Sequence, residues 1–315
     1  MVECRQNIDP KDVLSEKCRF RFPSRYRDRT KLCFPTLGHT SSGKTFWLAM
    51  VYHQLKKGKR PQDVEMVNIR SSQSQLFDEI VSRIIEERLG PEGTQTAMLP
   101  YPLTFRFRDK DRWGVSSPLL TIFDYPGEVA KASDPNARHP MHAHRQRALD
   151  ADGYLLFLDP TLPSETQATD LQGFRDDLCN LKGIEIGTKL RVPVAICLSK
   201  LDLLVKIEKL QGISGEAEHF YTELKKADPS GRALDARTIQ KRSRLTEELC
   251  SVLWPQWEIQ NTIEGLFGNR FLFFPLTPVG LENLGEEDLN KRMILPYAIH
   301  APLLWLLHMN GYPVL

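Results

Sequence analysis

No apolar run in this chain approaches the length a membrane helix needs, about 20 residues. The longest, YLLFL, FLFFPL and PLLWLL, are a fraction of that. The opening residues MVECRQNIDPKDV hold no apolar stretch of the kind a secretory leader carries. Cysteine is scarce, six in 315 residues, and no two form a C-x-x-C pair. Neither a zinc knuckle nor a dithiol redox couple is therefore suggested. Cys197 lies inside the run VPVAICL, where a free thiol acts as a small core hydrophobe. These absences make a reducing cytoplasm the expected setting. A surplus of charge is missing too: 42 basic residues against 40 acidic ones leave a formal +2. That gives no bulk attraction for nucleic acid or an anionic membrane. There is no internal repeat and no low-complexity segment.

What the chain does have is an alternation of apolar runs and amphipathic stretches. LCFPTL reads as a strand, and Thr45 to Lys57 as a helix stopped at Gly58. A strand at VEMVNI precedes SQSQLFDEIVSRIIEERLG, whose Leu76, Phe77, Ile80, Val81, Ile84 and Ile85 draw one stripe closed by Gly90 and Pro91. Strands follow at PLTFRFR, PLLTIFD, GYLLFLD, VPVAICL and RFLFFPL. The polar stretch from Lys206 to Asn269 reads as mostly helical, with a loop around ADPSGRALD, and a last helix lies near Leu303 to Leu307. Continuous apolar strands bracketed by helices predict an α/β fold, a mainly parallel sheet with helices on both faces. The expected organisation is an N-terminal tail over 1–30 and one domain over 31–315, with an insertion near 60–100 and a helical segment near 205–268. The tail carries RFRFPSRYRDRTK, basic and aromatic residues interleaved. It reads more simply as an amphipathic edge strand and solvated turn than as a nucleic-acid contact, so nucleic acid is not the expected partner.

Three stretches carry chemistry. GHTSSGKT, Gly38 to Thr45, fits G-x-x-x-x-G-K-[ST], a chance match in roughly one such chain in a hundred given average residue usage. It lies between a strand and a helix, as a phosphate cradle requires: loop N–H groups and the positive helix end surround a polyphosphate. In that reading Gly38, His39, Thr40, Ser41, Ser42 and Gly43 line the cradle, Lys44 reaches the outer phosphates, and the Thr45 hydroxyl ligates Mg²⁺. A serine-rich helix cap would not explain the lysine after Gly43. The second stretch, LLTIFDYPGE, delivers Asp124 at a strand end to hold magnesium through water, with the Gly127 N–H at a γ-phosphate. Pro-Gly is also ordinary turn chemistry, and only the preceding loop tips the balance. The third, VPVAICLSKLD, ends a buried strand with Ser199, Lys200 and Asp202. A carboxylate there accepts from the guanine N1–H and 2-amino group, a donor pair adenine lacks, while the Lys200 stem lies over the base.

In the order GHTSSGKT, DYPGE, SKLD the sequence resembles the G-domain of the translation-factor and Ras-like superclass of P-loop GTPases. More narrowly, DYPGE, ADGYLLFLDP, LWPQWEIQNTIEGLFG before FLFFPLTPVG, and APLLWLL are similar to the double-GTPase families of bacterial conflict systems, the second of them best. The resemblance runs from about Leu32 to Leu307. It implies a P-loop NTPase G-domain that binds GTP or GDP with Mg²⁺, Asp124 and Gly127 in a second switch, and Lys200 with Asp202 reading guanine. FFPLTPVG stands where such proteins touch the guanine carbonyl, which brings in Thr277; Pro278 beside it has no N–H to offer.

The sequence departs from that pattern at several points. Ser199 replaces the commoner Asn, and Thr40 with Ser41 stand where glycine is frequent. Glu128 occupies the place of a water-orienting Gln, and a carboxylate facing a γ-phosphate is repelled, which points to slow intrinsic hydrolysis. The magnesium threonine of the first switch falls in PEGTQTAMLPYP, where Thr94 and Thr96 both fit and Thr96 is preferred. His139, His142 and His144 follow the second switch without the acidic or cysteine ligands of a regular metal site, and read as a solvated switch loop. Arginines there open the reading of a finger offered to a second copy in a homo-oligomer. The expected function is a GTPase switch for protein partners, in the conflict-system setting the resemblance implies. Its rivals are an ATP-dependent enzyme on the same scaffold and a non-catalytic scaffold that holds the nucleotide.

Overall fold

Apolar runs suited to burial on both faces become the central strands of a seven-stranded sheet. The structure, a computed structural model, describes residues 2–3, 21–22, 29–57, 64–67, 72–88, 101–107, 118–124, 150–185, 187–211, 215–228, 234–255, 258–283, 288, 291 and 293–315. Two short strands, β1 (Val2–Glu3) and β2 (Arg21–Phe22), pair antiparallel in a sheet of their own. The main sheet is built from β3 (Lys31–Leu37), β4 (Val64–Val67), β5 (Tyr101–Phe107), β6 (Leu119–Asp124), β7 (Tyr154–Leu158), β8 (Val194–Leu198) and β9 (Phe271–Pro275). Its order is β4-β5-β6-β3-β7-β8-β9. The five strands from β6 to β9 in that order are parallel, and β5 and β4 continue the sheet through antiparallel pairings.

The eight helices of the described residues are α1 (Lys44–Lys56), α2 (Ser72–Ile85), α3 (Ser164–Lys182), α4 (Leu204–Gln211), α5 (Glu216–Ala227), α6 (Ala236–Leu253), α7 (Glu258–Phe267) and α8 (Ala301–Met309). Strand alternation sends side chains into two cores, one on each face. Phe34, Leu155, Phe157, Ala195, Cys197 and Phe274 join Trp47 and Leu48 of α1, Phe77 and Ile84 of α2, and Leu303 to Leu307 of α8. Leu37, Leu156, Leu158, Val194, Ile196 and Leu198 join α3 through α7. The expected α/β fold is therefore present, with helices on both faces. The predicted α2 stripe behaves as its spacing implies: Phe77, Val81 and Ile84 are buried, and Ile80 and Ile85 pack beside them. Cys197 is fully buried in the first core. Among the described residues, no helix is long and apolar enough to cross a membrane.

β3 carries a proline in the middle of the sheet, a position that removes a ladder donor. The strand manages this by pairing with β7 only after Pro35, at Thr36 and Leu37. Ahead of the proline, Asp152 takes the place of a strand: its carboxylate accepts from the Cys33 N–H (2.8 Å), and its own N–H donates to the Cys33 carbonyl (3.0 Å).

Candidate functional site

The chain leaves β3 for β4, on the side of β6, and leaves the neighbouring β7 for β8, on the opposite side. At such a switch point the strand ends open a crevice where α/β proteins bind ligands. Four loops leave the same rim: after β3 at Gly38, after β7 at Asp159, after β8 at Ser199 and after β9 at Leu276. The backbone of Asp124 ends β6 at that rim, in register with Thr36 of β3.

The loop after β3 turns on Gly38 (φ 133°), where a Cβ would collide with the Phe157 carbonyl of β7. Only glycine lets the loop cross so close to the neighbouring strand. Ser41 (φ 65°) and Gly43 (φ 88°) are left-handed as well, and Gly43 leads directly into α1. The first turn of α1 has no side-chain cap and no acidic residue, which leaves its positive end facing the loop. Lys44 is 6% exposed. Its Nζ donates to the Gly38 and His39 carbonyls (2.9 and 2.7 Å) and to Ser42 Oγ (3.3 Å). Thr45 follows, half-buried, and Ser42 is buried under the loop. His39 Nδ1 lies 2.6 Å from Asp170 Oδ2 on α3, which ties the loop to that helix. The geometry is that of a phosphate cradle with a lysine inside it.

The second cluster is built on β8 and β9. Ser199 follows β8, and both its N–H (3.0 Å) and its hydroxyl (2.9 Å) reach the Leu158 carbonyl of β7. The hydroxyl thus bonds β7, and Ser199 Cβ is 4.0 Å from where a Gly43 Cβ would stand. Lys200 is left-handed (φ 52°, ψ 34°) and heads a 3-10 turn, Leu201–Leu203, that holds Asp202. Asp202 is 3% exposed. Its Oδ1 accepts from Thr277 Oγ1 (2.7 Å), and Thr277 Oγ1 in turn accepts from the Gly280 N–H (3.2 Å). Thr277 is itself fixed by a two-way backbone bridge to Tyr297. The Thr277 hydroxyl proton is thus given to Asp202, and Pro278 follows Thr277 in the chain.

The structure thus brings together the loop from Gly38 to Thr45 and the group Ser199, Lys200, Asp202 and Thr277 on one rim, with the Asp124 backbone beside them. Gly127, Glu128, Thr94, Thr96 and the histidines 139, 142 and 144 lie outside the described residues. Two carboxylates that sequence reading missed are part of the same rim. Asp159, at the end of β7, pairs with Lys200 (2.6 Å), and Asp170 pairs with His39. For Asp159 a signal existed, an acid directly after the wholly apolar YLLFL. Asp170 is one polar residue among many on α3 and had none.

A mainly parallel sheet of this order with a glycine-bounded, lysine-headed loop at its switch point defines the P-loop NTPase G-domain class. Within it, the chain belongs to the Double-GTPase 2 family, whose model matches residues 33–257. No curated protein matches the sequence. Among solved structures, the GTPase-like domain of S. cerevisiae Ski7 bound to GTP is similar at 15% identity and a TM-score of 0.40, over 90% of this chain and 51% of that one. The same domain bound to GDP and inorganic phosphate gives 17% identity and 0.39, again over 90% and 51%. The Arl6 BBS3 small GTPase from Trypanosoma brucei with bound GppNp gives 15% and 0.33, over 89% of this chain and 97% of that one. This chain spans about half the length of the Ski7 chains. Those scores are too low to bear on the fold, which stands on strand order and the family match.

Proposed function

We propose that this chain is a Mg²⁺-dependent GTP-binding protein that hydrolyses GTP slowly and uses the nucleotide's state to control a protein–protein surface. The observation that carries the reading is convergence. The Lys44 loop after β3, the Ser199 to Asp202 loop after β8 and the Thr277 loop after β9 share one rim of one sheet. At the phosphate end, loop N–H groups, the uncapped start of α1 and the Lys44 ammonium supply positive charge from three sources. At the base end, Thr277 holds the Asp202 carboxylate in one orientation, ready for two donors on a guanine edge.

Thr45, Asp124 and Thr96, with Thr94 as the alternative to the last, are the oxygen donors this reading assigns to magnesium. Hydroxyl and carboxylate oxygens suit that hard ion, and Thr45 sits beside Lys44 in the first turn of α1. When bound, the ion neutralises charge on the β- and γ-phosphate oxygens. The chain's own contribution is to place Lys44 and the Gly127 N–H at the γ-phosphate. Glu128 repels charge there, which is why the basal rate is expected to be low. Loss of phosphate relaxes the loops that contact it and changes what a protein partner sees. A bacterial conflict system is the setting the family resemblance suggests.

Titration of labelled GTP and ATP against wild type and Asp202→Asn tests the reading. Wild type is expected to favour GTP by about 10³-fold or more, since a site built to bond a donor pair rejects an analogue lacking it. Asp202→Asn is expected to lose most of that preference. Equal affinity of the wild type for both nucleotides contradicts the guanine site. Phosphate release from saturating GTP separates a slow enzyme from a non-catalytic holder.

A further inference from the structure

We propose that Asp159 is a positioning residue for the base end of the site: it anchors the ammonium of Lys200, so that the lysine stem is held in place against a purine. The proposal rests on the guanine reading above. Asp159 is 1% exposed, and a carboxylate taken that far from water must be paired and hydrogen-bonded. Both of its oxygens are. Oδ2 meets Lys200 Nζ at 2.6 Å, and Oδ1 accepts from the Thr161 N–H (2.9 Å) and hydroxyl (2.6 Å).

The backbone of Asp159 is clamped as well. Its N–H donates to Gln167 Oε1 (2.8 Å), and its carbonyl accepts from Gln167 Nε2 (3.2 Å). The carboxylate is therefore a fixed point. Lys200 is fixed at its other end by a left-handed backbone, a conformation unfavourable for a residue with a Cβ. Between two fixed ends the methylene stem has little freedom left, yet the side chain is still 28% exposed. A stem so held presents an apolar strip to a flat ring without paying its ordering entropy on binding.

Asp159 acts through Lys200 and not through the purine edge, which Asp202 reads. Its loss should weaken every purine nucleotide alike, whereas loss of Asp202 changes which purine is preferred. GDP and IDP, which differ only in the 2-amino group, separate the two effects. Dissociation constants for both are measured on the full chain as wild type, Asp159→Asn, Lys200→Met and the double variant, with melting in the absence of nucleotide as a control.

Asp159→Asn is expected to weaken GDP and IDP by about tenfold each, the scale of one charge-assisted bond. The GDP:IDP ratio should stay within about twofold of wild type, and the double variant should bind no worse than the weaker single one, as for residues acting as a unit. Should Asp159→Asn fail to fold, Thr161→Val loosens the same carboxylate from an exposed position, and is expected to weaken both nucleotides at an unchanged ratio. Unchanged GDP affinity in a folded Asp159→Asn or Thr161→Val, a shifted ratio, or additive losses in the double variant would overturn the role of Asp159. Absence of any guanine preference in the wild type instead removes the site reading, whatever Asp159 does.

Discussion

Asp152 stands just ahead of β7 and pairs with Cys33 of β3, ahead of Pro35. Burial raises its carboxyl above the usual range, and the bond from the Cys33 N–H only partly offsets the effect. A folded-state value above the unfolded one means that this group's contribution is full below the unfolded pKa and is lost as pH rises through the folded value. Asp152→Asn retains an acceptor for Cys33 and carries no charge to bury. It is therefore expected to be more stable than wild type near neutral pH, with the difference vanishing in acid below the carboxylate range. Urea unfolding of both proteins across that interval checks the sign. Some single residues were legible without coordinates. Gly38, Lys44 and Asp202 belong to patterns whose spacing encodes one loop each, and local geometry then follows. The partners of those residues were not legible, because Asp170 and Asp159 lie far along the chain from His39 and Lys200 and meet them only through the sheet.

α3 is the element that holds the phosphate loop from behind. Its Asp170 reaches His39, while Ala168, Leu171, Phe174 and Leu178 bury an apolar stripe in the second core. The helix is therefore a rigid mount, and the loop inherits its position. Asp170→Ala is expected to weaken GTP and GDP by about tenfold, with little loss of thermal stability, since one hydrogen bond is removed at the edge of the core. Isothermal titration of the folded variant measures this. A variant that melts early, with affinity restored at low temperature, would show α3 as packing alone. At this scale the apolar runs declared themselves: YLLFL, VAICL and LLTIFD are wholly or mostly apolar because both faces of the central strands are covered. Boundaries moved by a residue or two, as with α1, which begins at Lys44 and not at Thr45. The Ser199 hydroxyl bonds the last carbonyl of β7, the strand beside its own.

Across the whole molecule, the Asp202 corner is braced by groups far along the chain from it. Arg242 of α6 and Asp228 after α5 form a buried ion pair at 2.7 Å. The Tyr297 hydroxyl donates to the carbonyls of Asp228 (3.3 Å) and Leu224 (3.5 Å). Burial pushes that phenol up to about 12, so it remains a donor at any ordinary pH. Through its backbone Tyr297 holds Thr277, and Thr277 holds Asp202. Sequence reading found a mostly helical stretch from Lys206 onward but gave it no purpose. Its part in steadying the Thr277 loop emerges only when residues 228, 242, 277 and 297 are brought together by the fold. The central claim is that three loops on one sheet rim grip one guanosine triphosphate and its metal. A crystal structure of the chain with Mg²⁺ and a non-hydrolysable GTP analogue tests it most directly. The account predicts phosphates within the loop from Gly38 to Thr45 with Lys44 turned onto them, and the guanine between Lys200 and Thr277 with Asp202 on its N1–H and 2-amino group. A nucleotide bound elsewhere, or one whose base lies away from Asp202, would contradict it.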